Sequence, residues 1–362
     1  MKRILVLGAG GAPTTNFVRS LRLATEEQWH FIGADADEYC LQRAETEEKH
    51  LIPYSDDPDY LPVLQDLIRE SGATFIHAQN DVEVEYLSAH RDELGCKVFL
   101  PDHATVRTCV DKFLSFEKWK AAGLTVPETM MIADEKDLQK AFADFGPRIW
   151  LRAVRGAFGK GSLPTEDYVQ AKAWLDFQKG WGTFSAAACL EPQSVTWQSV
   201  WQDGKLLCAQ GRKRLYWEFA NRAPSGITGI TGTGLTMSDP VLDDLAVRTI
   251  MSVDPMPHGI FSVDMTYDRH GVPNPTEINI GRFFTTHLFF SRAGLNMPLI
   301  YVKLAYGEPV SLPSPAVNPL PEGLLWIRGM DREPVLTTTQ AVEEDVRELE
   351  RRRLASRKIR GA

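Results

Sequence analysis

Short apolar runs of strand length alternate with helix-period segments over the first hundred or so residues. Residues 3–7 read as a buried strand, the GAGGAP turn follows, and residues 14–23 read as a helix with Phe17 and Leu21 on one face. A second strand at 31–34 runs into Asp35 and Asp37, and a helix at 58–71 precedes a third strand at 74–77. Alternation of this kind predicts an α/β, doubly wound parallel sheet, with the N-terminal domain ending near Arg107.

From Val110 the pattern changes. The segment DKFLSFEKWKAAG reads as a helix closed by Gly123, a strand follows at 129–132, and helices at 135–145 and 167–179 flank a strand at 149–154. Further strands are expected at 187–190, 196–201 and 205–210, giving an α+β region of antiparallel hairpins. SGITGITGTG reads as a glycine loop close to the site. SLPSPAVNPLPEG, at 311–323, reads as a Pro-rich connector before a strand at 324–328. The last element expected is a charged helix at 339–358, acidic first and basic last as the helix dipole favours, and its basic end reads as a solvated terminus.

A length of 362 residues suggests two or three domains, and 43% hydrophobic residues are enough for substantial cores. A formal net charge of -8 argues against a nucleic-acid surface and favours small-molecule partners. The five cysteines are scattered and lack CxxC spacing, which fits reduced thiols, no structural zinc and a cytoplasmic location. The apolar opening stops at a glycine turn, and no later segment has the length of a membrane span.

Candidate chemistry concentrates in GIFSVDMTYDRHGVPNPTEINIGR, residues 259–282. Alternate side chains of a strand share a face, so Glu277 and Asn279 point one way and Ile278 the other. A chain reversal around Arg269, His270 and Gly271 sets Asp264 opposite Glu277. Three hard oxygen donors then converge as magnesium prefers, although two acids on a hairpin can also be solvated charges. In RAVRGAFGKGS, Gly156, Gly159 and Gly161 let backbone amides approach phosphate while Lys160 adds charge; the spacing excludes a P-loop and fits a hairpin lid. GAGGAP has Pro13 where a dinucleotide fingerprint wants its third glycine, leaving nucleotide binding, a structural turn and a site for another substrate open. His258, His270 and His287 lack metal-ligand spacing and read as packing or surface residues.

Taken in order, Lys112, Arg152, the glycine loop, Glu191, Asp264 and EINIGRF resemble the ATP-grasp superfamily, specifically its carbamoyl-phosphate-synthase-like ligases. The resemblance covers most of the chain, from ILVLGAGGAPTTNFVRSLR through DDPDYLPVL and DKFLSFEKWKAAGLTVPET to AGLNMPLIYVKLAYGE. It implies a pre-ATP-grasp domain at 1–107 followed by a two-lobed ATP-grasp domain. The small lobe with its lid would occupy 108–190 and the large lobe with the magnesium site 191–310, leaving connector, strand and helix for 311–362.

The resemblance also implies roles. Lys112 and Arg152 match the cations that hold ATP phosphates, and Gly156, Gly159, Lys160, Gly161 and Ser162 belong to the closing loop. Glu191 matches the acid that meets the adenine amino group, with the backbone at Gln193 and Ser194 completing the purine contacts. Where relatives carry an acid for the ribose this chain has Trp197 and Gln198, of which Gln198 is the expected contact. Asp264, Glu277 and Asn279 match the magnesium ligands. Arg282 and Arg214 are the expected catalytic cations, although Arg282 stands three residues after the asparagine instead of one or two. Arg212, Lys213 and Arg155 are compatible with substrate contact or with a solvated strand. The implied reaction uses ATP and Mg2+ to activate a carboxylate as an acylphosphate for an amine, and a homodimer is the family-based expectation. A kinase-like phosphotransferase, a silent ATP-binding module and, on GAGGAP alone, a nicotinamide oxidoreductase are the alternatives.

Overall fold

Ile4, Leu5, Val6 and Leu7 are fully buried, as a strand covered on both faces requires. The computed structural model describes residues 1–156, 159, 161–329, 335–341, 343, 344 and 347. Its first elements are β1 (Lys2–Leu7), α1 (Ala12–Arg22), β2 (Trp29–Asp35), α2 (Glu38–Gln42), β3 (Glu48–Leu51), α3 (Tyr60–Ser71), β4 (Phe75–His77) and α4 (Asp81–Ala89). The strands are parallel in the order β3-β2-β1-β4, with the switch in winding direction between β1 and β4. The sequence reading has no counterpart of β3, because Glu48, Lys49, His50 and Leu51 offer no apolar alternation; pairing with β2 makes them a strand.

Two helices, α5 (His103–Val110) and α6 (Lys112–Ala121), lead out of this layer. The next sheet contains β5 (Thr129–Ile132), α7 (Glu135–Phe145), β6 (Ile149–Ala153), β7 (Leu163–Thr165), α8 (Tyr168–Gln178) and β8 (Phe184–Ala188), its strands antiparallel in the order β5-β8-β6-β7. Asp111, Asp134 and Asp167 each accept backbone N–H bonds at the starts of α6, α7 and α8, which fixes where these helices begin. This sheet keeps a core of its own, including Ile132, Leu138, Leu151 and Phe184.

The large sheet is built from β9 (Ser194–Gln202), β10 (Lys205–Trp217), β11 (Thr231–Met237), β12 (Gly259–Tyr267), β13 (Pro273–Ile280), β14 (Leu324–Ile327) and β15 (Val335–Thr338). Its order is β13-β12-β9-β10-β11-β14-β15, with α9 (Pro240–Val253), α10 (Leu288–Arg292) and α11 (Met297–Tyr306) between strands in the chain. One apolar cluster joins Ile32 and Leu64 of the parallel layer to Trp197, Phe261 and Ile278 of the large sheet, and another joins Phe17 to Phe283, Phe289 and Tyr301.

Several strand limits differ from the sequence reading. The strand expected at 187–190 lies at Phe184–Ala188, because the chain turns away before Pro192, which has no N–H to donate. The strand expected to stop at 210 continues to Trp217, and the glycine segment divides, its second half becoming β11. The Pro-rich connector is tied down: Asn318 Oδ1 accepts from Gly211 N–H at 2.8 Å and Leu320 N–H donates to Gln210 Oε1 at 3.1 Å. The charged helix expected at 339–358 lies for the most part outside the described residues. No described helix is long and apolar enough to cross a membrane, and all five cysteines are free.

Candidate functional site

The β12–β13 hairpin turns where Asp268 accepts backbone N–H bonds from His270 and Val272 through one carboxylate oxygen. That turn sets the register: Asp264 pairs with Glu277 and Ser262 with Asn279. Asn279 Nδ2 donates to Asp264 Oδ2 at 3.0 Å, and Thr196 Oγ1 donates to Asp264 Oδ1 at 2.5 Å. Asp264, Glu277 and Asn279 all line one cavity of about 490 Å³ between the small and large sheets. Among the described residues there is no group of three or more His, Cys, Asp or Glu side chains suited to holding a metal. Two carboxylates and an amide oxygen fit a hard cation that arrives with phosphate oxygens and water, and do not make a self-sufficient cage.

Cations approach from both sheets. Lys112, the first residue of α6, reaches Glu277 at 3.3 Å and donates to Gly156 O at 2.6 Å. Arg152, from β6, donates to Thr276 O at 3.1 Å; burial lowers its pKa against the pull of Glu277. Arg214 donates to Ser194, Thr196 and Thr231 and stacks over Trp217 at 3.6 Å, while Arg212 donates to Thr286 and Thr196 and stacks over Phe284 at 4.2 Å. Arg212 is only 1% exposed, and burial together with repulsion from Arg214 brings its pKa down to about 9. Among the described residues, the buried Nε atoms of Arg152 and Arg212 have no hydrogen-bond partner. Six cationic side chains and three carboxylates line the cavity, an excess of three positive charges among the described residues. Orphaned donors and excess positive charge suit a polyanion such as a nucleotide triphosphate.

Arg282 also lines this cavity. Its Nη2 donates to Asn279 Oδ1 at 2.6 Å, and its guanidinium grips both carboxylate oxygens of Asp81 at the start of α4. Burial disfavours both charges, but the mutual attraction prevails, lowering the Asp81 pKa and raising that of Arg282.

At the other end, Glu191 and Ser194 line the cavity beside Ala188, Cys189 and Leu190. Gly156, Gly159 and Ser162 line it from the lid; Gly161 does not, and Lys160 is outside the described residues. Gly159 has φ +64°, and a Cβ there would come within 2.5 Å of Ile227 O, so the lid rests against the segment before β11. Gln193 lies in a surface depression with Tyr267 and Asp268, outside the main cavity. Gln198 requires a correction. It is fully buried, absent from the cavity wall, and donates to Ser262 Oγ at 2.9 Å, so it is unavailable as a ribose contact.

The GAGGAP turn is pressed against α2: a Cβ on Gly10 would lie 1.7 Å from Cys40 O, and Gly10 N–H donates to Asp35 Oδ2 at 3.0 Å. Asp35 therefore closes the turn. His287 is buried with Nδ1 on Phe284 O, His258 pairs with Asp203, and Arg155 pairs with Glu85. Sequence reasoning missed Arg148, Trp150 and Trp217 on the cavity wall, and while it expected residues 79–85 and 283–292 to bear on substrate choice it gave no role to Phe284 or to Asp81 behind Arg282. Trp150 had a local signal, since it shares a strand face with Arg152 on β6, whereas Trp217, of odd parity on β10, reaches the cavity only because the register is irregular after Arg214.

No family model and no curated protein matches the chain. Solved structures match nearly all of it. An N5-carboxyaminoimidazole synthetase from Staphylococcus aureus, complexed with ADP, is similar at a TM-score of 0.68 and 14% identity, covering 91% of this chain and 82% of its own. The biotin carboxylase domain of Hydrogenobacter thermophilus 2-oxoglutarate carboxylase, a dimer in complex with MgADP, ADP and bicarbonate, gives 0.69 and 17% over 90% and 73%. An L-amino acid ligase from Bacillus licheniformis gives 0.66 and 12% over 90% and 79%. The chain has the fold these structures share, the ATP-grasp fold, with a parallel-sheet layer ahead of two lobes that close on a cavity.

Proposed function

We propose that the protein is an ATP- and magnesium-dependent ligase that activates a carboxylate as an acylphosphate and joins it to an amine, releasing ADP and phosphate. The observation that carries this reading is the cavity itself, where Asp264, Glu277 and Asn279 face Lys112, Arg152, Arg212 and Arg214 beneath a glycine lid. Asp264, Glu277 and the Asn279 amide oxygen would hold magnesium, which when bound neutralises phosphate charge and orients the triphosphate. Lys112 and Arg152 bind phosphate oxygens, Gly156, Gly159, Gly161 and Ser162 cover them, and Glu191 with Ser194 meets the purine. Lys160 is proposed to add charge to the lid.

The carboxylate oxygen forms a bond to the γ-phosphorus while the bond to the β,γ-bridging oxygen breaks and ADP leaves. The amine then attacks the acyl carbon, phosphate departs and a proton is lost. Arg214 and Arg282 stabilise the charge that develops, and lid closure keeps water from the acylphosphate. The domain division proposed is 1–107, 108–190, 191–310 and 311–362, with small-molecule substrates, a cytoplasmic location and a homodimer.

Incubation with ATP, Mg2+, hydroxylamine and a panel of amino acids and small carboxylates tests the reaction. A hydroxamate formed with one ADP per turnover is expected, and Glu277→Gln is expected to lose several kcal/mol of transition-state stabilisation. AMP as the stoichiometric product, or turnover without ATP, refutes it.

A further inference from the structure

Arg282 occupies a position with two pulls on it. On one side lie Glu277 and Asp264, whose negative charges act on its guanidinium; on the other lies Asp81, which takes it in a two-oxygen grip. Between them, Asn279 accepts from Arg282 through Oδ1, the atom that would ligate a cation, and donates through Nδ2 to Asp264. Asp81 is held in turn by the start of α4, where Asn80 Oδ1 accepts from Glu83 N–H at 2.9 Å and caps the helix. The pair spans 201 residues of sequence and ties the parallel-sheet layer to β13.

We propose that Asp81 is a positioning residue that holds Arg282 away from the metal-binding carboxylates and thereby keeps them free for the cation. The inference rests on the magnesium reading above. A guanidinium released from Asp81 keeps its bond to Asn279 Oδ1 and the attraction of Glu277 and Asp264, and would compete with the cation for the two carboxylates. With Asp81 in place, the same cation stands at the cavity wall with its fork already oriented. Neutralising Asp81 therefore weakens metal binding without touching a metal ligand.

The test is direct Mn2+ binding in the presence of ADP, read by electron paramagnetic resonance on the full chain, since oxygen-donor sites for magnesium accept manganese. Asp81→Asn is expected to weaken Mn2+ binding about tenfold, because the amide offers Arg282 one acceptor in place of two charged ones. In an Arg282→Met background the same substitution is expected to change binding by less than about twofold, the competing cation being gone. Equal binding by wild type and Asp81→Asn overturns the proposal, as does an equal loss in the Arg282→Met background, which would make Asp81 a purely structural residue. If Asp81→Asn does not fold, Arg282→Lys gives the same answer: an ammonium cannot hold Asp81 and Asn279 together, so weakened Mn2+ binding is expected and unchanged binding overturns the idea. A wild-type protein that binds no Mn2+ with ADP overturns the ligase reading itself.

Discussion

Among the described residues Arg212 has no full counter-ion within hydrogen-bonding distance: its partners are the hydroxyls of Thr286 and Thr196 and the face of Phe284. A buried charge held this way is a burden on the empty fold and an asset to an anion that enters. Arg212→Met is expected to leave the ligand-free melting temperature unchanged or raised while nucleotide-dependent turnover falls at least about a hundredfold. A thermal melt beside an ADP-release assay checks both; a marked loss of stability with activity retained contradicts the assignment. The sequence left Arg212, Lys213 and Arg214 together as candidate contacts or solvated charges, because the strand was expected to stop at 210; its continuation to Trp217 puts Arg212 and Arg214 on the cavity wall and leaves Lys213 off it. Parity gives the face but not the depth. Gln198 shares the parity of Ser194 and Thr196, yet it sits farther along β9 opposite Ser262, buried and off the cavity wall.

At the scale of elements, the antiparallel hairpin carrying Asp264 and Glu277 was readable because turn chemistry and strand alternation agree. The far end of β10 and the whole of β11 were harder. GRKRLYW carries inward-facing charges that break apolar alternation, and TGTG has too little side chain to show any pattern. Both are strands because their backbones pair with each other, and both border the cavity that interrupts their pattern. Their connecting segment also supports the lid through Ile227 and Gly159. Gly159→Ala places a Cβ on a left-handed residue, a cost of about 1 kcal/mol, and pushes it into the Ile227 carbonyl. The lid must shift, so the KM for ATP is expected to rise about three- to tenfold with global stability nearly unchanged. Steady-state kinetics with a thermal melt decide the point; an unaltered KM would mean that the lid closes independently of this contact.

Across the whole molecule, the parallel layer is joined to α11 and to the segment after β13 by contacts such as Phe17 with Phe283 and Tyr301, which no local pattern in the sequence announces. That shared interior also buries two histidines. Burial lowers the pKa of His77 to about 3 and that of His287 to about 4, from 6.5. Each stays neutral in the fold while the unfolded chain takes up a proton below pH 6.5, so each loses stability as pH falls from there toward its folded pKa. Glu83 acts in the opposite sense. Burial raises its pKa from 4.5 to about 7, partly offset by hydrogen bonds from Asn80 and Tyr60, so the folded state holds an extra proton between those values and gains stability as pH falls through that window. From about pH 7.5 to about pH 5.5 the two histidines together remove about 3 kcal/mol and Glu83 returns about 2, leaving a net loss near 1 kcal/mol. Glu83→Gln keeps the shape and deletes the compensating proton, so its stability is expected to fall by about 3 kcal/mol over the same range. Urea unfolding of both proteins at the two pH values measures the difference. Equal pH dependence would show that Glu83 holds no extra proton in the fold over this range, leaving the acid sensitivity of the shared core to the two histidines.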